Sequence, residues 1–132
     1  MDRTVTLTPD PIPVLPRAAS DRWGAVVRFS GVVRATEAGA PIRGLAYEAF
    51  EAMAIHQFHR LLDELEARWP GVGSVQLVHR LGFVAAGEPS LWIEVAAPHR
   101  GEAFAACQWL IDSMKQVVPI WKRPQPAASP NG

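Results

Sequence analysis

The sequence predicts an α+β fold in which an antiparallel sheet carries two helices, in the chain order ββαββα. Two observations favour this class. Pairs of short segments rich in β-branched residues are joined by polar turns, and each pair precedes a longer segment with helical periodicity. Strands paired through short turns argue against a parallel doubly wound sheet. At 132 residues, the chain has the size of one domain with one core.

The first half is expected to hold two strands and one helix. Residues 23–34 (WGAVVRFSGVVR) are typical of a strand, and residues 44–50 (GLAYEAF) are predicted to pair antiparallel with it. A helix is predicted from about Glu51 to Trp69, because apolar residues recur there at spacings of three and four. The residues of this apolar face are Ala54, Phe58, Leu61, Leu62, Leu65 and Trp69.

The second half repeats this arrangement. Residues 74–84 (SVQLVHRLGFV) and 90–98 (SLWIEVAAP) are predicted as strands on either side of an AAGEP turn. A second helix follows and ends at Pro119, which has no amide hydrogen to continue the ladder. Its predicted buried stripe consists of Phe104, Cys107, Ile111, Met114 and Val118.

Proline-rich segments flank the predicted domain. In residues 1–21, the stretch TPDPIPVLP spaces its prolines too closely for a helix, so we expect an extended segment at a sheet edge. The domain is expected to span residues 22–123. Residues 124–132 show no apolar periodicity and are predicted to form a disordered tail.

The composition narrows the class of function. Thirteen basic and thirteen acidic side chains cancel, so no global field draws the protein to nucleic acid or to an anionic membrane. The sequence begins without an apolar leader and has no run near the ~20 apolar residues that span a bilayer. The single Cys107 fits a reducing compartment. We therefore expect a cytoplasmic protein.

The start of the second helix is a candidate anion site. His99 and Arg100 lie where a strand gives way to that helix, and the first amides of a helix lack intrahelical acceptors at the positive end of its dipole. Such a junction can hold a phosphate. The alternative is a solvated His-Arg pair at a helix start.

Two lysines near the end of the same helix form a second candidate. A turn forced by Pro119 brings Lys122 back toward Lys115, and two amines in one partly desolvated pocket suit acid–base or covalent chemistry. The alternative is an ordinary ion pair between Lys115 and Asp112, three residues earlier. Arg34 ends the first strand, where it is either a site residue or a surface arginine.

No metal site and no cofactor are expected. His56 and His59 lie three residues apart without further cysteine or carboxylate ligands nearby in the sequence, which argues against zinc. Cys107 lies on the apolar stripe and is assigned to the core, away from the electropositive setting that activates a thiolate.

Three blocks of the sequence, GAVVRFSGVVR, VHRLG and APHRGEAFAACQWLIDSMKQVVPIWKR, together resemble the large, catalytic subunit of molybdopterin synthase. The resemblance covers roughly residues 22–123, and its last block is the most specific. It implies a homodimer of α/β hammerhead subunits, each binding a small ubiquitin-like sulfur carrier. The carrier's C-terminal Gly-Gly thiocarboxylate would enter a pocket and transfer sulfur to cyclic pyranopterin monophosphate, forming the molybdopterin dithiolene.

The resemblance also implies roles for individual residues. Lys115 and Lys122 match the two active-site lysines. The residues assigned to substrate binding are Arg34, His99, Arg100 and Arg123, and those assigned to the pocket for the carrier tail are Phe29 and Ile111. Pro124 stands where many members carry a glutamate, which removes a carboxylate that could orient Lys122. This departure motivates an alternative function, a non-catalytic module that binds the tail of a ubiquitin-like sulfur carrier.

Overall fold

The computed structural model describes residues 1–13 and 21–127, which form eight strands and two helices. In chain order the elements are β1 (Asp2–Thr8), β2 (Ala25–Val32), β3 (Thr36–Glu37), β4 (Ala40–Ala49), α1 (Glu51–Arg68), β5 (Ser74–Arg80), β6 (Gly82–Ala85), β7 (Pro89–Ala97), α2 (Arg100–Val117) and β8 (Ile120–Pro126). β2, β4, α1, β5, β7 and α2 follow the predicted ββαββα order, with four further strands between and around them. The α+β class is confirmed.

The first sheet has the strand order β1-β5-β7-β2. Its central strands, β5 and β7, are buried along nearly their whole length, which is typical of strands covered on both faces. β7 pairs antiparallel with both β5 and β2, whereas β1 pairs with β5 in parallel, with Val5 beside Leu77. The sheet is therefore mixed rather than purely antiparallel.

The predicted pairing of residues 23–34 with residues 44–50 is wrong. β2 pairs with β7, whereas β4 belongs to a second sheet. The cause is a two-residue turn at Ala38 and Gly39, whose φ angles of 51° and 79° are both positive. Turns of this kind match the twist of a tight hairpin, so the chain reverses there and β4 first pairs with β3.

The second sheet is built around β4, which pairs antiparallel with β3, β6 and β8. The predicted single strand over residues 74–84 is divided in the structure at Leu81 and Gly82. Gly82 has a φ of 80°, in the left-handed region that favours glycine. The bend leaves β5 in the first sheet and sends β6 to the second, where Val84 lies beside Leu45.

α1 packs on the first sheet through the face that its periodicity predicts. Five of the six predicted residues are buried, and Phe58, Leu62 and Leu65 are completely enclosed. Full burial of one such side chain contributes roughly 1.5–3 kcal/mol. Trp69, the sixth, follows the helix and is partly buried against the same core.

α2 turns a slightly different face to the core than predicted. Cys107, Met114 and Val118 are buried as expected, but Phe104 is 61% exposed and Ile111 is only partly buried. The remaining buried positions on the helix are Ala103, Ala106 and Leu110. Two apolar stripes overlap on this helix, and the one with the small alanines faces inward because it permits close approach.

The proline-rich ends are partly ordered. Residues 2–8 of the predicted extended segment form β1, and residues 14–20 lie outside the described part of the chain. The predicted tail is wrong for residues 124–126, which belong to β8, while residues 128–132 also lie outside the described ranges. Pro124 fits because β8 pairs with β4 alone among the described strands, which leaves its other side without a ladder to break.

Neither described helix combines the length and apolar character needed to cross a bilayer.

Candidate active site

A cavity of about 450 Å³ opens where the last turns of α2 meet both sheets. This volume is typical of sites for small molecules. Strands β2, β5 and β7 contribute from the first sheet, and β4 and β8 contribute from the second. The lining residues are Phe29, Gly31, Val32, Tyr47, His79, Ser90, Leu91, Ile111, Met114, Lys115, Val118, Ile120, Trp121 and Lys122.

Lys115 and Lys122 are the only lysines in the sequence, and both line this cavity. α2 ends at Val117, because Pro119 cannot supply the amide that a further turn would need. The chain reverses there and re-enters as β8 at Ile120. The structure thus brings the helical lysine and the strand lysine together, as the sequence predicts.

The Lys115 amine has no carboxylate partner among the described residues. Its side chain is exposed, and the ion pair with Asp112 that the sequence left open does not form. A cationic group without a protein counter-ion at the edge of a cavity is available to an anionic ligand. The geometry therefore favours a ligand-facing Lys115.

Lys122 is positioned by a carboxylate from a different element. Its Nζ lies 3.4 Å from Oε1 of Glu37, on β3. Pro124 lies in β8 opposite Leu45 of β4. Glu37 therefore supplies a carboxylate beside Lys122.

Trp121 holds the turn between α2 and β8 against β4. Its ring lies 5.0 Å from the ring of Phe50 in an edge-to-face arrangement, and its Nε1 donates a hydrogen bond of 3.0 Å to Oε2 of Glu48. Arg123 lies 3.4 Å from the same carboxylate oxygen and does not line the cavity. The assigned role of Arg123 in substrate binding stays a prediction.

Phe29 and Ile111 both line the cavity. Phe29 lies on β2, beside Gly31, where an added Cβ would come within 3.3 Å of the Phe29 ring. This close approach leaves an apolar wall with little spare room. The role assigned to Phe29 and Ile111, contact with the carrier tail, stays a prediction.

Arg34, His99 and Arg100 do not line this cavity. Arg34 is exposed two residues beyond Val32, which does line it. His99 occupies the N-cap position of α2 without a capping hydrogen bond from its side chain, and Arg100 begins the helix. Fifteen residues of helix, about 22 Å, therefore separate Arg100 from Lys115. The predicted convergence of all these cationic groups on one cavity is not found within a single chain.

Three polar residues of the cavity were missed by the sequence reasoning: Tyr47, His79 and Ser90. Tyr47 donates a hydrogen bond of 3.1 Å to Oγ of Ser90, and its ring lies 5.1 Å from the ring of His79. Burial lowers the pKa of His79 below its ordinary value, and a bond to the carbonyl of Arg80 offsets this only in part. The available signal was a histidine that directly follows the apolar pair Leu77 and Val78 near the end of β5.

Comparison with known proteins places the chain in a family. The family model described as MoaE protein matches residues 7–117. A molybdopterin synthase catalytic subunit from Nostoc sp. is 42% identical over 100 residues, covering 76% of this chain and 61% of that protein. A protein of the same name from Pyrococcus abyssi is 40% identical over 105 residues, covering 80% of this chain and 70% of that protein.

Solved structures give the same relationship. Molybdopterin synthase from Staphylococcus aureus superposes with a TM-score of 0.84 at 30% identity, covering 94% of this chain and 92% of that chain. A complex of subunits 1 and 2 of molybdopterin-converting factor from Helicobacter pylori has a TM-score of 0.66 at 26% identity, covering 83% of this chain and 75% of that chain. With its fold, its paired lysines and these relatives, the chain belongs to the MoaE protein family.

Proposed function

We propose that this protein is the catalytic subunit of a molybdopterin synthase. In this role it transfers sulfur from the C-terminal thiocarboxylate of a small ubiquitin-like carrier to cyclic pyranopterin monophosphate, and the product carries the molybdopterin dithiolene. The chain spans 61% of the length of its Nostoc relative, which bears the name of this activity. The proposal is supported by family membership together with the chemistry of the cavity.

One observation carries the proposal: the two lysines of the chain line the same cavity of about 450 Å³. Attack by the thiocarboxylate sulfur forms a C–S bond to the substrate while a C–O bond breaks, and negative charge develops on the departing oxygen. Water then hydrolyses the resulting thioester, which leaves the sulfur on the substrate and a carboxylate on the carrier. Fixed ammonium groups beside that charge stabilise the transition state more than the ground state. Lys115, which has no described counter-ion, is the group we assign to direct acid–base or covalent participation, and Lys122 to charge stabilisation.

The nucleophile arrives on the partner in this scheme, so the protein itself needs no reactive cysteine. The structure supports this division of labour, because Cys107 is buried in the core and its burial raises the pKa of its thiol. Phe29 and Ile111 offer apolar contact for the slender Gly-Gly tail of the carrier. The related Helicobacter pylori structure is a complex of two subunits, which agrees with a protein partner.

We assign binding of the substrate phosphate to Arg34, His99 and Arg100, with Arg123 at the edge of the site. Because α2 separates Arg100 from Lys115 by about 22 Å, His99 and Arg100 can serve this cavity only if a second copy of the chain brings its own helix start there. A homodimer permits that arrangement. We place the protein in the cytoplasm, where the unpaired Cys107 stays reduced.

Mass spectrometry of the pterin product tests the function directly. The purified protein is mixed with cyclic pyranopterin monophosphate and a thiocarboxylated carrier, and the same carrier with an ordinary carboxylate terminus is the control. We expect two sulfur atoms in the product from the thiocarboxylated carrier alone. Carrier binding in calorimetry without any sulfur-containing product would instead establish the non-catalytic binding module.

A further inference from the structure

Tyr47, His79 and Ser90 form a polar group in the cavity that the proposed sulfur transfer does not use. They come from β4, β5 and β7, so both sheets contribute to the group. His79 and Ser90 are only 5% and 7% exposed. Polar side chains this deeply buried are costly unless their hydrogen bonds are satisfied, which makes the bonding of each atom informative.

The hydrogen bonds of His79 fix which ring nitrogen carries the proton. Nδ1 lies 2.8 Å from the carbonyl oxygen of Arg80, and because a carbonyl oxygen only accepts, Nδ1 carries the hydrogen and donates it. The neutral ring then has its lone pair on Nε2. Nε2 has no hydrogen-bond partner among the described residues. Within that part of the chain, the only fully enclosed side-chain polar atom without a partner is Nε of Arg80, so Nε2 of His79 keeps some exposure to solvent. Since His79 lines the cavity, Nε2 is an acceptor that opens onto it.

The hydrogen bonds of Ser90 and Tyr47 leave a second unused acceptor. The Ser90 hydroxyl donates to the carbonyl oxygen of Gly31 at 3.5 Å, so its oxygen is free to accept from the Tyr47 hydroxyl at 3.1 Å. Both hydroxyl hydrogens are therefore used within the protein. Oη of Tyr47 keeps its lone pairs and is a second acceptor beside the cavity.

The cavity thus has two chemically different parts. The amines of Lys115 and Lys122 only donate and carry positive charge, whereas Nε2 of His79 and Oη of Tyr47 only accept and are neutral. A ligand that satisfies both parts has an anionic group joined to a body with N–H or O–H donors. A small carboxylate without N–H or O–H donors, such as acetate, would satisfy the lysines alone.

We propose that Nε2 of His79 and Oη of Tyr47 bind the ring of the substrate by accepting hydrogen bonds from its N–H groups, while the lysines hold its anionic part. His79 is then a binding residue for the ring, and Ser90 is a positioning residue that orients the Tyr47 hydroxyl. The inference rests on the proposed function, in which the substrate is a pyranopterin phosphate whose reduced ring carries such N–H groups. It adds a ring-recognition surface that discriminates the pterin from other phosphate esters.

Two substitutions at His79 distinguish the effect of losing the Nε2 acceptor from the effect of altered packing. His79→Asn keeps an amide near Nδ1 that can donate to the Arg80 carbonyl but removes the acceptor at Nε2, whereas His79→Gln places an amide oxygen near Nε2. The probe is cyclic pyranopterin monophosphate, titrated calorimetrically into the full-length protein in its purified assembly. His56→Asn, on the exposed face of α1 outside the cavity, is the matched control.

We expect the dissociation constant to rise roughly ten-fold in His79→Asn, the effect of one hydrogen bond left unmade in a buried site. His79→Gln is expected to retain most of the affinity, and His56→Asn all of it. Unchanged binding by His79→Asn would overturn the inference. Equal losses in His79→Asn and His79→Gln would overturn it as well, since they would point to packing alone.

Nitrogen NMR of the unsubstituted protein tests the same contact without any effect on folding. Adding the pterin phosphate is expected to shift the Nε2 resonance of neutral His79, and adding acetate is expected to leave it in place. An Nε2 chemical shift that stays unchanged when the pterin phosphate is added would refute the contact. If the protein forms the dithiolene product but neither the His79 substitutions nor the Nε2 chemical shift responds as expected, this inference fails and the proposed function stands. Absence of product would count against the proposed function itself.

Discussion

Nζ of Lys122 on β8 lies 3.4 Å from Oε1 of Glu37 on β3, and this contact joins two strands of the second sheet. The residues are 85 positions apart in the chain, so the contact depends wholly on the tertiary fold. A lysine fixed in this way loses less rotamer freedom when it meets a substrate.

Replacing Glu37 tests whether this pairing serves the site or only the fold. We expect Glu37→Gln to lower kcat several-fold, because Lys122 is no longer held at the cavity. The free energy of unfolding should change by less than about 1 kcal/mol, since the pair is partly exposed to solvent. Glu64→Gln, which removes an exposed i,i+4 pair with Arg68 on α1, is the control and should alter neither kcat nor product formation. Equal kcat in Glu37→Gln and the unsubstituted protein would show that Lys122 needs no such support.

Lys115 is expected to matter more than Lys122. We expect Lys115→Ala to reduce the rate of dithiolene formation by about 10²–10⁴-fold, the usual effect of losing one acid–base group in the transition state. Single-turnover kinetics with thiocarboxylated carrier measures this rate. Arg60→Ala, which removes an exposed cation from α1, serves as the control for a simple change of charge. A normal rate in Lys115→Ala would remove Lys115 from the mechanism.

His79 makes stability depend on pH in a defined direction. Its pKa is lowered in the folded protein, whereas in the unfolded chain it titrates near 6.5, so the unfolded state binds more protons as the pH falls below that value. The stability present above pH 6.5 is therefore lost progressively down to the lower, folded pKa. Urea denaturation between pH 8 and pH 5 should show a steeper loss for the unsubstituted protein than for His79→Gln. Parallel curves would contradict the prediction.

The inward face of α2 can be tested by two substitutions on the same helix. Leu110→Ala should lower the free energy of unfolding by about 2–5 kcal/mol, because it empties a fully buried position. Phe104→Ala, six residues earlier and 61% exposed, should change it by less than about 0.5 kcal/mol. Urea denaturation measures both. A larger loss at Phe104 would restore the face predicted from sequence.

Local patterns were sufficient to predict both helices. The three-and-four spacing of Phe58, Leu62 and Leu65 belongs to one face of α1 and needs no tertiary information. The same pattern misassigned Phe104, because α2 carries two overlapping apolar stripes and only packing decides between them. The pairing of the strands could not be predicted from the sequence, because it depends on backbone angles at the turns. A positive φ at Ala38 or Gly82 redirects the chain, and neither angle is visible in a hydrophobic pattern.

The site was predictable to the extent that it is local in sequence. Lys115, Pro119 and Lys122 lie within eight residues, so the turn that unites the lysines follows from proline chemistry. Glu37 and His79 come from distant strands, and only the fold brings them to the cavity. The start of α2 lies about 22 Å from Lys115 along the helix, so within one chain His99 and Arg100 do not reach the lysines.

The prolines at the end of β8 have a consequence for association between molecules. Pro124 and Pro126 lie within the ladder that β8 forms with β4, and neither has an amide hydrogen to offer on the opposite side. A strand arriving from another chain would find two missing donors along that border, where amyloid-like stacking normally begins. The second sheet therefore resists unwanted growth by aggregation on this side, and the exposed charges of Lys122 and Arg123 on the same strand add to this protection.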